Sequence, residues 1–359
     1  MPAIGVIGAG AASAAATYVL DTALPEASVT VLEKSGGVCG RAATRRRGDY
    51  EYVYDYGANY VKDDDERVTD LLTEQLDSDG LVDASEPIYV FEDDGEIQEG
   101  RDADDHKWSY ERGLTQIAKR LFGETDADIH RRTRVETIER DGEQWRLHAT
   151  DGGGGDSASD ATAGDSWGPF DALLVNPPAP QTAQLLRDAD WDHDVRETLA
   201  EACEAVPYRS VYTTVLGYEF DLDAPYYGLV NVDKNHEVGW LSREECKAGH
   251  VPDGQSVLVV QANHQWSLDH YDDDPESNVA ALADHAADIV GDDRLRDPAW
   301  SDHQGWRYAL PDDGVAHGPV DSAESHGLYC LGDWVGGEAR LHVALRNGLD
   351  TGERLAYSL

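Results

Sequence analysis

The run Ile4-Gly5-Val6-Ile7-Gly8-Ala9-Gly10-Ala11-Ala12-Ser13 constrains the fold of this chain more than any other segment. It predicts a buried strand that passes straight into a helix through a glycine turn. Val29-Thr30-Val31-Leu32-Glu33-Lys34 then predicts a second strand that ends in an acid twenty residues past Ser13. Strand, tight turn, helix, strand and acid in this order form the dinucleotide fingerprint in its structural context. Gly8 permits the turn. Gly10 lets backbone approach a pyrophosphate at the helix N-terminus, where N–H groups and the helix dipole favour anions. Ala12 and Ser13 continue the turn, and Ser13 replaces the third glycine with a residue small enough for close helix–sheet packing. Glu33, with Lys34 beside it, is placed to accept the ribose hydroxyls of an adenosine.

Two further segments narrow the choice of dinucleotide. Gly36-Gly37-Val38-Cys39-Gly40-Arg41-Ala42-Ala43-Thr44 resembles the GG-R-x-x-T segment of FAD enzymes of the amine-oxidase and phytoene-desaturase superfamily, with Cys39 where a glycine is usual. The resemblance implies that Gly40 and Arg41 contact the pyrophosphate. Near the C-terminus, Gly327-Leu328-Tyr329-Cys330-Leu331-Gly332-Asp333 predicts a strand that delivers an aspartate. Gly336-Gly337 then leads into a helix that begins near Leu341. This resembles the C-terminal flavin motif of the same superfamily, which implies cofactor contacts from Gly332, Asp333, Leu341, His342 and Val343. A helix N-terminus there would stabilise negative charge on a reduced flavin. His342 stands where glutamate is usual, and Asn347 where serine is.

The segment Tyr52-Val53-Tyr54-Asp55-Tyr56-Gly57-Ala58-Asn59-Tyr60-Val61 resembles the D-x-G-A-Q-Y-F segment of renalase-type enzymes. Trp306-Arg307-Tyr308-Ala309-Leu310-Pro311 resembles their W-R-Y-A-x-P run. The resemblance places Gly57 and Ala58 beside a flavin, makes Asn59, Tyr60 and Trp306 cavity-lining, and gives Val135 an adenine contact through its backbone. Arg307 offers a positive charge to an anionic substrate. Alternation along a strand accounts equally well for Tyr52, Tyr54 and Tyr56.

These resemblances imply an α/β fold: a Rossmann-like FAD-binding domain and a second, α+β substrate domain on an antiparallel or mixed sheet. The expected FAD domain is discontinuous, over 1–65, 109–180 and 305–359. The substrate domain is expected over 66–108 and 181–304, and 151–168 reads as an acidic Gly/Ser-rich loop. The implied activity is renalase-like oxidation of a small reduced donor, a dihydronicotinamide isomer, on non-covalent FAD with oxygen as acceptor. No side chain is assigned a catalytic role, since the chemistry belongs to flavin N5. Two alternatives stay open: an amine oxidase or desaturase on the same fold, and a flavin-binding sensor without turnover. Amine oxidases of this superfamily commonly keep a lysine near the flavin. Of the six lysines here only Lys234 and Lys247 fall in the large substrate segment, neither within a recognisable motif.

Composition restricts partners. Seventy-one acids against 29 basic residues give a formal net charge of −42. Such self-repulsion is tolerable only where salt screens it, so the composition reads as adaptation to concentrated salt. The acids lie in many short runs, among them Asp63-Asp64-Asp65-Glu66, and nucleic acid and anionic membranes are poor partners for them. The cofactor strand begins at residue 3, no run is long enough to span a membrane, and the four cysteines are widely separated. A reducing cytoplasm is therefore expected. Thirteen histidines are spread singly, and no metal site is expected.

Overall fold

The computed structural model describes residues 1–49, 51–100, 105–151 and 165–359. The chain forms two compact units. One comprises Met1–Gly40, Ile117–Pro207 and Pro311–Leu359; the other comprises Arg41–Gln116 and Tyr208–Leu310.

The first unit is built on a five-stranded parallel sheet. Its order is Asp128–Arg131, Ser28–Glu33, Ala3–Ile7, Ala172–Val175 and Leu328–Cys330. Ala172–Val175 is buried throughout, and Ala3–Ile7 is buried from Ile4 onward, as parallel strands covered on both faces require. Chain order reverses on the two sides of Ala3–Ile7, which makes its C-terminal end the topological switch point. The helix Ala11–Ala23 is alanine-rich because another helix lies on it. A Cβ on Gly348, in the helix Leu341–Ser358, would collide with the Ala12 carbonyl, and one on Gly352 would crowd that of Ala16.

A three-stranded antiparallel sheet, Thr133–Asp141, Gln144–Asp151 and Asp165–Phe170, completes this unit. The run Ile129 to Ile138 reads as one strand but forms two, in different sheets. Arg132 breaks it with a φ of 59°, after which Val135 pairs opposite Ala149 beside a bulge. Of the expected loop 151–168, residues 165–168 belong to a strand, and 152–164 lie outside the described residues.

The second unit carries a seven-stranded mixed sheet. Its order is Trp300–Pro311, Tyr208–Tyr218, Ser256–Ala262, Val238–Arg243, Gly228–Asn231, Ile88–Phe91 and Ile97–Glu99. Only the pairing of Gly228–Asn231 with Ile88–Phe91 is parallel among the registers described. The helix Pro275–Val290 packs Leu282, Ala283, Ala286 and Ala287 into a core with Leu216, Leu241, Leu258 and Val260. Alternation along the central strands puts these residues on one face.

Unit boundaries differ from those read in the sequence. Residues 41–65, 109–116 and 305–310 fall in the second unit, and 181–207 in the first. Thr44–Arg47 pairs with Tyr52–Asp55, Val53 N–H of this hairpin donates to the His250 carbonyl at 2.8 Å, and Trp300–Pro311 joins the seven-stranded sheet, so backbone hydrogen bonds carry these segments into the second unit. The helices Ala179–Arg187 and Asp194–Glu204 stay in the first unit, where Asp190 between them donates its N–H to Ile138 and accepts from Arg140 N–H on the strand Thr133–Asp141 of the three-stranded sheet.

Candidate functional site

At the switch point the sequence and the backbone agree. Gly8 has a φ of 89°, and its N–H donates to Leu32 at 2.8 Å. A Cβ on Gly10 would collide with Asn176 Oδ1, so close approach of two strand ends requires glycine there. Ser13 Oγ lies 2.7 and 2.9 Å from the carbonyl oxygens of Gly8 and Gly10 and shares its one hydrogen between them, locking the turn from beneath. The Ala11–Ala23 helix has no side-chain cap and no acid in its first turn, in a chain holding 71 acids. Its N-terminus keeps its favourable potential for an anion.

Glu33 is 8% exposed and anchors two backbone donors: Ala9 N–H on Oε2 at 2.8 Å and Ser35 N–H on Oε1 at 2.6 Å. Each oxygen retains a lone pair, so the carboxylate can still accept a ribose hydroxyl. Lys34 is exposed. Ala12 is a packing residue, buried against Gly348. Cys39 N–H donates to Ala9 at 2.7 Å, and Cys39 has a φ of 82°, the region that favours the glycine usual at this position. Gly40 also has positive φ, and a Cβ on it would lie 3.5 Å from Gly10 Cα.

The C-terminal segment belongs to the same unit. Gly332 takes a φ of 134°, and its N–H donates to Asn347 Oδ1 at 2.9 Å, so the asparagine in the serine position ties the turn to the last helix. Asp333 is buried and accepts from Trp334 N–H at 2.9 Å. Leu341–Ser358 starts without a side-chain cap or an acid in its first turn. His342 is buried, while Leu341 and Val343 are half-buried. A Cβ on Gly336 would collide with Val343. Side-chain-free turns and two helix N-termini without an acid fit the pyrophosphate and polyol of a dinucleotide. The first unit brings together Gly8, Gly10, Glu33 and Gly40.

In the second unit the expected residues form one tight loop cluster. Ala58 N–H donates to the Arg41 carbonyl at 3.0 Å, and a Cβ on Gly57 would collide with that carbonyl. Arg41 Nη1 donates to Ala309 at 2.8 Å. Trp306 stacks on Tyr56 with ring centres 5.4 Å apart and donates its indole N–H to the Tyr56 carbonyl at 3.1 Å. Asn59 accepts from Ser242 Oγ at 3.1 Å, and its carbonyl accepts from Tyr227 OH at 3.3 Å. Tyr60 lies against Tyr227 and Trp240, with ring centres 6.0 and 6.3 Å away. Arg307 does not join them. It is exposed, stacked on Tyr271 at 4.4 Å, because neighbours on a strand point to opposite faces.

Beneath this loop is a charge cluster that the sequence reading did not assemble. The ammonium of Lys247 lies 3.0 Å from Asp55 Oδ2 and 2.9 Å from Glu244 Oε1, and all three side chains are fully buried. Asp55 also accepts from Thr44 Oγ1, Leu114 N–H and Ser109 Oγ at 2.6, 2.9 and 3.0 Å. His250, fully buried, sets Nδ1 2.7 Å from Glu244 Oε2 and Nε2 2.9 Å from the Tyr110 carbonyl. A carbonyl only accepts, so Nε2 carries a proton, and a second proton lies on the His250–Glu244 contact. The four groups are then neutral in sum. Burial opposes ionisation of Asp55, but the Lys247 ammonium, with His250 and the donors above, holds its carboxyl below the usual range. Burial likewise opposes the Lys247 charge, and Asp55 and Glu244 outweigh it, pushing the ammonium upward. The signals were present as a lone Asp55 in a quoted motif and a scarce Lys247, but their partners are about 190 residues apart.

Residues 6–75 match the family of NAD(P)-binding Rossmann-like domains. Among solved structures, the fold is similar over 100% of this chain to a protein assigned as protoporphyrinogen oxidase from Exiguobacterium sp. 255-15, with TM-score 0.76 and 15% identity over 99% of that chain. Putrescine oxidase bound to putrescine aligns at TM-score 0.72 and 12% identity, covering 99% of both chains. Cyclohexylamine oxidase from Brevibacterium oxydans IH-35A aligns at 0.71 and 13%, again over 99% of both. At these identities the likeness is one of fold.

Proposed function

We propose that the chain is an FAD-dependent oxidoreductase that holds its cofactor non-covalently. The observation that carries this reading is the Gly8–Gly10 turn at the switch point, with Glu33 buried at the end of the adjacent strand. The turn serves the ADP half of any dinucleotide. The glycine turns at 332 and 337 and the uncapped helix Leu341–Ser358 favour FAD, since a nicotinamide dinucleotide has no use for them. Bound FAD supplies hydride acceptance at N5 and reoxidation by oxygen. The residues of the first unit hold its phosphates and ribose. In the second unit Asn59, Tyr60 and Trp306 orient a small donor, and the buried charge cluster keeps their loop rigid.

Within this class we favour renalase-like oxidation of a dihydronicotinamide isomer, which needs no general base. Lys247, a candidate for the lysine of an amine oxidase, is fully buried and bonded to two carboxylates. Amine oxidation remains the second reading because Tyr60, Tyr227 and Trp240 group aromatic faces suited to a cationic donor. Anaerobic mixing with dihydronicotinamide isomers and with primary amines, read as loss of flavin absorbance, separates the two. Bleaching by amines alone would overturn the preferred reading, and failure to bind FAD in molar salt would overturn both.

A further inference from the structure

Three side chains distant in character from the loop cluster above converge on the second unit. His236 and Glu237 lie just before the strand Val238–Arg243, and His285 projects from the helix Pro275–Val290. One ligand atom from each lies within 4.8 Å of the other two. We propose that His236, Glu237 and His285 form a binding site for a borderline-soft divalent cation, with Zn2+ as the prototype.

The separation of the two imidazoles suits a shared ion. His236 and His285 have ring centres 5.6 Å apart with planes at 76°. An imidazole nitrogen sits about 2.0–2.1 Å from zinc, which puts each ring centre about 3.2 Å from the ion. At a tetrahedral angle the two ring centres are then about 5.3 Å apart, close to the separation found. Phe91 packs edge-on against His236 at 5.3 Å and limits its rotation. Asn263 Nδ2 donates to the His236 carbonyl at 2.7 Å, and Asn263 N–H donates to the Glu237 carbonyl at 2.6 Å, so the backbone that carries two of the ligands is fixed. Two imidazoles with one carboxylate and an open position match a first-row divalent ion and not Mg2+ or Ca2+, which prefer oxygen.

The nitrogen of His236 that lies 3.9 Å from Glu237 Oε2 is Nδ1, which also accepts the Val238 N–H at 3.0 Å. A bound ion takes this lone pair, so binding releases the Val238 amide. That gives a local reporter. A second trio with the same spacing, Asp55, Glu244 and His250, is already neutralised by the Lys247 ammonium, and the inference does not extend to it.

The test is calorimetric titration of the full chain with Zn2+ in molar salt, with millimolar Mg2+ present to occupy carboxylate-only sites. The expected result is saturable binding of one Zn2+ per chain, weakened at least 30-fold by His285→Ala and less by Glu237→Gln. Zinc-free unfolding midpoints of both variants should match the parent. Co2+ should give d–d bands beyond the flavin absorption, and Zn2+ should speed hydrogen exchange at Val238. Absence of saturable binding, or an affinity unchanged by His285→Ala, overturns the proposal. Should His285→Ala unfold, the Co2+ bands and Val238 exchange of the parent chain decide alone, and absence of both overturns it.

Discussion

Replacing Lys247 with methionine removes the cation that touches both buried carboxylates, while keeping most of the side-chain volume. In the native cluster Asp55 and Glu244 share the ammonium at 3.0 and 2.9 Å with no solvent access. Breaking a buried pair by deleting one partner costs about 3–5 kcal/mol, because the remaining charge is uncompensated. For a unit of this size about 1 kcal/mol moves the unfolding midpoint by roughly 2–4 °C, so the fall should be roughly 6–20 °C. The sign of the pH dependence is more diagnostic. Asp55 is held below its unfolded value, so its contribution is present above about pH 4 and is lost as pH falls through the lower folded value. Lys247 is held above its unfolded value, so its contribution is complete below about pH 10 and is lost only at higher pH. The wild-type cluster therefore contributes evenly across the neutral range. In Lys247→Met His250 still faces Glu244, so one negative charge is left without its counter-charge, and acidification should neutralise it and narrow the gap to wild type. Urea unfolding in molar salt at pH 5, 7 and 9, followed by tryptophan fluorescence, measures this. A loss under about 1 kcal/mol, or a gap that widens on acidification, would refute the cluster as described.

Glu33→Gln keeps an acceptor for one of the two backbone N–H groups and removes the charge; FAD affinity should fall by roughly 10–100-fold, from about 1.5–3 kcal/mol of charge-assisted bonding, by titration of apoprotein. Trp306→Ala should slow anaerobic flavin reduction while FAD stays bound, since misplacement of ~1 Å can cost about 100-fold; unchanged kinetics would make Trp306 only a partner for Tyr56. Cys39→Gly relieves a left-handed backbone and should change stability by no more than about 1 kcal/mol despite burial of the thiol, whereas Cys39→Val should cost more. Transfer from molar to millimolar salt should lower the unfolding midpoint as the charge of −42 loses its screening. A midpoint independent of salt would remove the argument from composition.

Local patterns were enough for the first unit's core. Ile4 to Ser13 and Val29 to Glu33 are contiguous, and each turn in them depends on residues within reach of one another, so the glycine at φ 89° was legible before any coordinates. The same holds for the turn at Gly332 and the helix from Leu341. Boundaries were not legible. The pairing of Thr44–Arg47 with Tyr52–Asp55 is local, but the bond from Val53 N–H of that hairpin to His250 and the place of Trp300–Pro311 beside Tyr208–Tyr218 depend on residues far off in the chain, which no local pattern encodes. The break at Arg132 was hidden as well, because arginine carries no propensity for a left-handed backbone. At the site, alternation alone separates Trp306 from Arg307, yet the motif read them together; strand geometry overrode adjacency. Contiguous residues specify the dinucleotide turn, the acid that follows it and the charge of the surface. Long-range folding is what makes Asp55, Glu244, Lys247 and His250 neutralise one another and sets His236 facing His285. Electrostatic partners are chosen by distance in space, and the low dielectric of burial, which gives such contacts their strength, exists only once the chain has folded.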